Sequence, residues 1–204
     1  MRSIVLFITL MVFFLSYGPA PTGAQEAAPP EAAVKAPVYK DGEWWVFRLK
    51  ASVPSDMEKP PEEFRITYKN DKFESDNPDI LASPVRVTVH LNDPKRKWLD
   101  FPLIRGKKWS FRFSHTSSVS GRFSWRDAEA EVIGPVAQPI VTPAGKFKTI
   151  EIRRADENLR YANTSKLIYF YSPETKSVVK LSADFDTNRG LFHWEMELIK
   201  YSVR

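Results

Sequence analysis

The sequence predicts an all-β fold: a single antiparallel sandwich or a barrel, closed or open, of about nine to eleven strands, with at most one short helix. Apolar and polar residues alternate along most of the chain, which is the pattern of strands that bury one face. Turn-forming residues, among them 16 prolines and 8 glycines, separate the alternating segments. No segment shows the apolar stripe of a long helix, and the best helical candidate is residues 156–162.

The N-terminus has the organisation of a secretory signal peptide. Arg2 precedes an apolar run over residues 4–15, and small residues around Ala20 and Ala24 follow it. A charged start, a short apolar core and a small-residue exit define such signals. A retained membrane anchor is the alternative, but the run is shorter than the roughly 20 residues that a spanning helix needs. We therefore expect cleavage after Ala24 or after Ala20, with no transmembrane span in the mature chain.

The rest of the chain divides into a tether and one domain. Residues 25–37 are rich in alanine and proline and hold no aromatic residue, which predicts a flexible or extended linker. Residues 38–204 carry the alternating pattern, and about 165 residues fit one β-rich domain. We predict strands over residues 45–49, 64–68, 85–91, 109–113, 122–133, 147–154, 166–171, 178–185 and 192–198.

The apolar side of these predicted strands is unusually aromatic. Because each strand has one apolar and one polar side, each sheet should face a core on one side only. The pattern does not distinguish a densely packed core from an apolar cavity that holds a ligand. The aromatic residues on the apolar side are Trp45, Phe47, Phe111, Phe113, Phe123, Trp125, Phe192 and Trp194. The candidates for lining a cavity are Trp45, Trp109, Phe111, Trp125 and Trp194.

Turn-forming residues account for the breaks between the predicted strands. Gly106 and Gly145 each precede an aromatic residue that begins or re-enters a strand, so we expect a positive φ at both glycines. Pro173 should end the strand before it, because proline lacks the N–H that a sheet requires.

Three segments in order resemble the exported bacterial domains of the domain of unknown function 3108 and TapB-like family. They are FPLIRGKKWSF at residues 101–111, VTPAGKFKTIEI at 141–152 and YFYSPETKSVVKL at 169–181. The resemblance extends over residues 41–201, and it departs at residues 175–177, where the family commonly has a glycine turn. It implies an exported, mostly β domain akin to the open barrels of lipoprotein carriers, and it carries over no catalytic residue.

The composition limits the chemistry of the chain. It has no cysteine, which excludes disulfides, thiolate metal sites, cysteine nucleophiles and lipid attachment to cysteine. The formal net charge of +5 is dispersed along the chain, unlike the concentrated basic patch of a nucleic-acid-binding protein. We therefore expect no nucleic-acid partner. An exported chain without cysteine suits the bacterial periplasm or the exterior.

No catalytic residue, metal site or cofactor is predicted. The nucleophile elbow of hydrolases, the dinucleotide-binding glycine motif and the P-loop are all missing from the sequence. His193 shares one strand side with Glu195 and Glu197, which leaves a hydrolase or metal site as a minor alternative. A solvated polar face is the favoured interpretation of this group.

Two functions from different classes remain open at the level of sequence. The first is an exported, non-enzymatic envelope domain that binds a lipid or another apolar or amphipathic ligand. The second is an envelope assembly or adhesion module that binds a protein partner.

Overall fold

The computed structural model describes residues 33–52, 59–77, 97–116, 123–160, 163–187 and 190–204. These residues belong to one compact unit, Glu31–Arg204. The predicted signal peptide, most of the linker and the predicted strand over residues 85–91 lie outside the described residues.

The described residues form eleven strands. They are β1 (Trp44–Ser52), β2 (Lys59–Lys69), β3 (Lys72–Ser75), β4 (Lys108–Thr116), β5 (Phe123–Pro135), β6 (Ile140–Thr142), β7 (Gly145–Phe147), β8 (Ile150–Asn158), β9 (Thr164–Ser172), β10 (Ser177–Thr187) and β11 (Gly190–Ser202).

Nine of the strands form one antiparallel sheet in the order β3-β2-β1-β11-β10-β9-β8-β5-β4. The all-β prediction is confirmed. Among the described strands the sheet is not closed into a barrel: β3 and β4 lie at its two edges. The best helical candidate, residues 156–162, is not helical in its first part, because Asp156–Asn158 continue β8. Within the described part of the chain, no helix is long and apolar enough to cross a membrane.

One face of the large sheet, called here the inner face, carries the hydrophobic core. Strands across the sheet contribute side chains such as Phe47 on β1, Leu181 on β10 and Ile152 on β8, each fully buried. Three further segments pack against this face: the stretch before β1 through Tyr39, residues 98–103, and the β6–β7 hairpin through Phe147. As far as the described residues go, the inner face is therefore covered by these segments rather than by a second large sheet.

The predicted apolar side of β5 is wrong at the start of that strand. Phe123 and Trp125 are 50% and 48% exposed, whereas Ser124 and Arg126, which alternate with them, are buried. Further along β5 the inward positions are Ala128, Ala130 and Val132, as the alternation requires. The inner face therefore changes from apolar to polar along β5, and the aromatic pair lies on the opposite, outer face.

The predicted turn glycines take positive φ, at 78° for Gly106 and 143° for Gly145. Where the resembling family commonly has a glycine turn, Lys176 itself adopts the left-handed conformation, with a φ of 56°. A side chain in this region of φ is strained relative to glycine, so interactions of the Lys176 side chain must compensate for it.

Candidate ligand-binding site on the inner face

A polar cluster interrupts the hydrophobic inner face where β5, β8 and β9 lie side by side. Antiparallel register places Arg126 opposite Asn158, and Ala130 opposite Arg154. Asp156 lies opposite Ser165 on β9. Because these positions continue the inward alternation of Ile152 and its neighbours, their side chains enter the interior although they are charged.

Asp156 holds the cluster together. Its Oδ1 accepts hydrogen bonds from Nε of Arg126 and, at 3.0 Å, from the hydroxyl of Ser165. Its Oδ2 accepts a hydrogen bond from Nη2 of Arg154 at 3.0 Å. The side chains of Arg126, Arg154 and Asp156 are only 9%, 1% and 2% exposed. The carboxylate is thus engaged on both oxygens and shielded from water.

Neutral polar side chains complete the cluster. Arg126 donates from Nη2 to the hydroxyl of Ser165 at 2.7 Å. The amide of Asn158 donates to the hydroxyl of Ser124 at 3.0 Å. Arg126 is therefore well supplied with acceptors, which is the usual condition for a buried charge.

Arg154 has fewer hydrogen-bond partners than Arg126 among the described residues. Its guanidinium carbon lies 4.2 Å from the centroid of the Trp98 ring, and 5.7 Å from those of Phe113 and Tyr169. Only Nη2 has a hydrogen-bond partner: Nε and Nη1 are buried and have none among the described residues. Contact with aromatic faces stabilises a cation by about 2 kcal/mol or more when it is desolvated, but it leaves those two N–H donors unsatisfied.

Two side chains next to Arg154 also carry buried donors that lack a hydrogen-bond partner among the described residues. The indole Nε1 of Trp98 and the hydroxyl of Tyr169 are buried without hydrogen-bond partners in the described part of the chain. Burial raises the pKa of Tyr169 far above its ordinary value. The charge of Arg154 and the approach of its side chain to the hydroxyl lower the pKa, the charge of Asp156 raises it, and the net direction is upward. The hydroxyl therefore stays protonated and able to donate at neutral pH.

The predicted cavity-lining residues fall in different environments. Trp45 is fully buried, and its indole N–H donates to the carbonyl of Thr175 at 2.7 Å. Trp109 is also buried, and its indole N–H donates to the carbonyl of Lys97 at 2.7 Å. Both residues pack in the core with their polar atoms satisfied.

The other three predicted residues are spread over the sheet. Phe111 is partly buried and packs edge-on against Trp98, with 5.5 Å between ring centroids, so it adjoins the polar cluster. Trp194 is partly buried against Phe185 near the β10–β11 hairpin. Trp125 lies half-exposed on the outer face. Of the five candidates, Phe111 is the one that packs beside the Arg154 cluster.

The histidine face forms cross-strand pairs. Nδ1 of His193 lies 2.7 Å from a carboxylate oxygen of Asp184, its partner in register on β10. Nε2 of His193 lies 3.8 Å from Glu195, and Glu197 lies 3.6 Å from Arg48 on β1. Among the residues that the structure describes, no group of three acidic, histidine or cysteine side chains could hold a metal ion.

A surface cleft of about 200 Å³ lies away from the polar cluster. Its walls come from Val34, Leu103, the end of β5 and residues 148–150, and none of the five predicted aromatic residues lines it. The cleft therefore differs in position and lining from the aromatic cavity that the sequence suggested.

The sequence interpretation missed the cluster because it treated charged residues as solvated. A signal was nevertheless present: Arg154 and Asp156 continue the alternation of Ile150 and Ile152 on β8. Sequence alternation could thus have placed both charges inside, but only strand register brings Arg126 to them.

Comparison with known proteins adds little. No family model matches the chain, and no curated protein matches it. The resemblance to the domain of unknown function 3108 family therefore gains no support. A solved structure from Bacteroides fragilis, named a putative exported protein with a YmcC-like fold, aligns with 84% of this chain and 100% of that chain. Its identity is 11% and its TM-score 0.35, which is too low to carry an argument.

Proposed function

We propose that this chain is an exported, non-enzymatic domain of the bacterial envelope that binds an amphipathic molecule on the inner face of its sheet. The observation that carries the proposal is the environment of Arg154. This charged side chain is 1% exposed, lies against Trp98 and keeps two N–H donors without partners among the described residues.

Such an arrangement is costly for a purely structural residue. A buried donor without a partner costs about 1–3 kcal/mol, and more when the group is charged. A buried charge is normally paired and fully hydrogen-bonded, as Arg126 is here. Ligand sites, in contrast, combine apolar walls with a few oriented polar groups. The aromatic rings of Trp98, Phe111 and Phe113 supply such a wall beside Arg154.

The export part of the proposal rests on the sequence of residues 1–24. Mass spectrometry of the chain expressed with its own N-terminus in a bacterial host is expected to show a product that begins after Ala24 or Ala20, recovered outside the cytoplasm. A full-length product in the cytoplasmic fraction would count against export.

The binding part is tested with purified mature protein. Native mass spectrometry after mild extraction is expected to show a bound mass of lipid or amphiphile size, which organic solvent removes. Titration of the stripped protein with amphiphiles, followed by tryptophan fluorescence, is expected to saturate. Failure of every amphiphile in a panel of charged and neutral headgroups to bind would overturn the proposal.

One observation favours the second candidate, an envelope module that binds a protein. Phe123 and Trp125 stack edge-on on the outer face, with 5.4 Å between centroids, and Leu159 beside them is also exposed. Exposed apolar groups of this kind often mark interaction surfaces. A photo-crosslinker at position 125, compared with one at Glu129 further along the same face of β5, would test it. A reproducible adduct from position 125 alone would favour this function.

A further inference from the structure

We infer that the polar group of the ligand is an anion, a carboxylate or a phosphate, whose oxygens accept hydrogen bonds from Arg154. The inference rests on the proposed function, and it specifies the chemistry that the same site selects. Three independent features of the cluster lead to it.

The first feature is the balance of charge. Among the described residues, the buried charged side chains at this end of the sheet are Arg126, Arg154 and Asp156. The other buried charged residue, Glu43, pairs with Lys176 beyond the opposite end of β9. The remaining members of the cluster, Ser124, Asn158 and Ser165, are neutral. Within the described part of the chain, two buried cations and one buried carboxylate leave one positive charge without a buried counter-charge.

The second feature is the kind of polar atom that lacks a partner. Nε and Nη1 of Arg154, Nε1 of Trp98 and the hydroxyl of Tyr169 all carry hydrogen that they can donate. The carboxylate oxygens of Asp156, in contrast, both accept hydrogen bonds within the cluster. A donor-rich site with its acceptors already engaged selects a group that is rich in acceptors, and hydrogen bonds between ions are about twice as strong as those between neutral groups.

The third feature is the surface beside the guanidinium. The Trp98 ring packs against Phe111 and Phe113, with centroids 5.5 and 5.0 Å away. Ala128, opposite Phe111 on β5, is small and buried. The side chains packed at this point are therefore apolar, which suits a hydrocarbon body attached directly to the anionic group. Free inorganic phosphate would pair with the charge of Arg154 but has no apolar part to contact these side chains.

The test compares amphiphiles that share one alkyl chain and differ in headgroup. Stripped mature protein is titrated by calorimetry with dodecanoate, dodecyl phosphate, dodecyl maltoside and dodecyltrimethylammonium, each below its micelle concentration. Inorganic phosphate is titrated separately. Since a hydrogen bond to a charged group contributes about 1.5–3 kcal/mol, we expect the anionic amphiphiles to bind at least about tenfold more tightly than the other two. Phosphate alone is expected to bind weakly.

Arg154→Gln is expected to remove the preference for anions while the affinity for dodecyl maltoside stays within about twofold. Arg153→Gln is the matched control, since Arg153 is the preceding residue, exposed on the outer face and paired there with Glu151 at 2.7 Å. This control should keep the full preference. If circular dichroism shows that Arg154→Gln does not fold, Arg154→Lys is the second variant, because it keeps a cation at this position. The preference of the wild-type protein for anionic amphiphiles tests the inference without any variant.

The outcomes separate the inference from the proposed function. Equal affinity for anionic and neutral amphiphiles would overturn the inference, with the donors then satisfied by water, and would leave the binding function standing. Tighter binding of the cationic amphiphile would also overturn it. Binding of no amphiphile would overturn the proposed function itself. A preference for phosphate over carboxylate, or the reverse, would identify which oxyanion the site takes.

Discussion

Nζ of Lys176 lies 2.6 Å from Oε1 of Glu43, a carboxylate that is buried between the start and the end of the domain. The same ammonium donates to the carbonyls of Val38 and Arg204, at 2.8 and 2.9 Å. Glu43 in turn accepts a hydrogen bond from the backbone N–H of Arg204 at 2.8 Å. One lysine on the β9–β10 turn thus connects the segment before β1 to the last residue of the chain.

Lys176→Gly is expected to destabilise the domain by about 3 kcal/mol or more, since removing one partner of a buried pair leaves the other charge uncompensated. Glycine is the informative replacement because it accepts the φ of 56° at this position without strain. The loss therefore reports the missing ammonium rather than the backbone. Urea unfolding measures it, and Lys146→Gly, which also removes a lysine, from the short strand β7, serves as the comparison.

The sequence predicts a strand's orientation correctly where its apolar residues lie on one side and the structure buries that side. On β1 and on β10 the residues of one side are apolar, and the structure buries that side. At the start of β5 they disagree: hydrophobicity placed Phe123 and Trp125 inside, but register with β8 aligns Arg126 with buried polar partners. The aromatic pair is consequently turned outward. Sequence reasoning from one strand cannot detect this, because the decisive contacts come from residues about 30 positions away.

The candidate site could be predicted only in part, since alternation on β8 places Arg154 and Asp156 inside but does not bring Arg126 to them. A charged residue in a strand is normally solvated, and nothing within β8 alone shows that Asp156 meets two arginines. The pairing depends on Arg126, which is separated from Asp156 by 30 positions in sequence. Phe111 was predicted as a ligand-lining residue from its parity, and it does adjoin the site through Trp98; whether it contacts a ligand stays a prediction.

Asp156→Asn is expected to cost about 3–5 kcal/mol of stability, because it leaves Arg126 and Arg154 buried without a carboxylate. Asp127→Asn is the matched control on β5. Asp127 pairs with Arg112 at 2.6 Å on the outer face, where both side chains are exposed. Surface pairs of this kind contribute little. Urea unfolding at neutral pH compares the two variants, and equal losses would contradict the assignment of Asp156 to a shielded cluster.

The stability of the wild-type domain should fall with acidity in a way that depends on Glu43. Burial raises the pKa of Glu43, but hydrogen bonds from Lys176, Arg204 and Lys40 outweigh it, so the pKa lies below its ordinary value of 4.5. A carboxylate with a lowered pKa in the folded state stabilises the fold fully above its unfolded pKa. That contribution is lost as the pH falls from about 4.5 through the folded pKa.

Glu43→Gln isolates this contribution. The difference in unfolding free energy between wild type and variant is expected to be constant near neutral pH and to shrink as the pH drops below about 4.5. Glu174→Gln, which removes an exposed carboxylate nearby, is the control variant. A wild-type advantage over Glu43→Gln that grows as the solution becomes more acidic would contradict the inferred direction of the pKa.

Replacing tryptophans one at a time tests the two faces of the sheet. Trp45→Phe removes the indole N–H that donates to the carbonyl of Thr175, leaving a buried acceptor without its donor and a small void. Such a change costs about 1–3 kcal/mol. Trp125→Phe alters a side chain that is 48% exposed, so its stability should stay within about 0.5 kcal/mol of wild type. The emission of each tryptophan is the difference in fluorescence between the wild type and the variant that lacks it. Acrylamide should quench the emission of Trp125 more strongly than that of Trp45. A larger loss of stability in Trp125→Phe than in Trp45→Phe, or stronger quenching of Trp45 than of Trp125, would show that β1 and β5 present the opposite faces to the core. The inward placement of Arg126 would then be wrong as well.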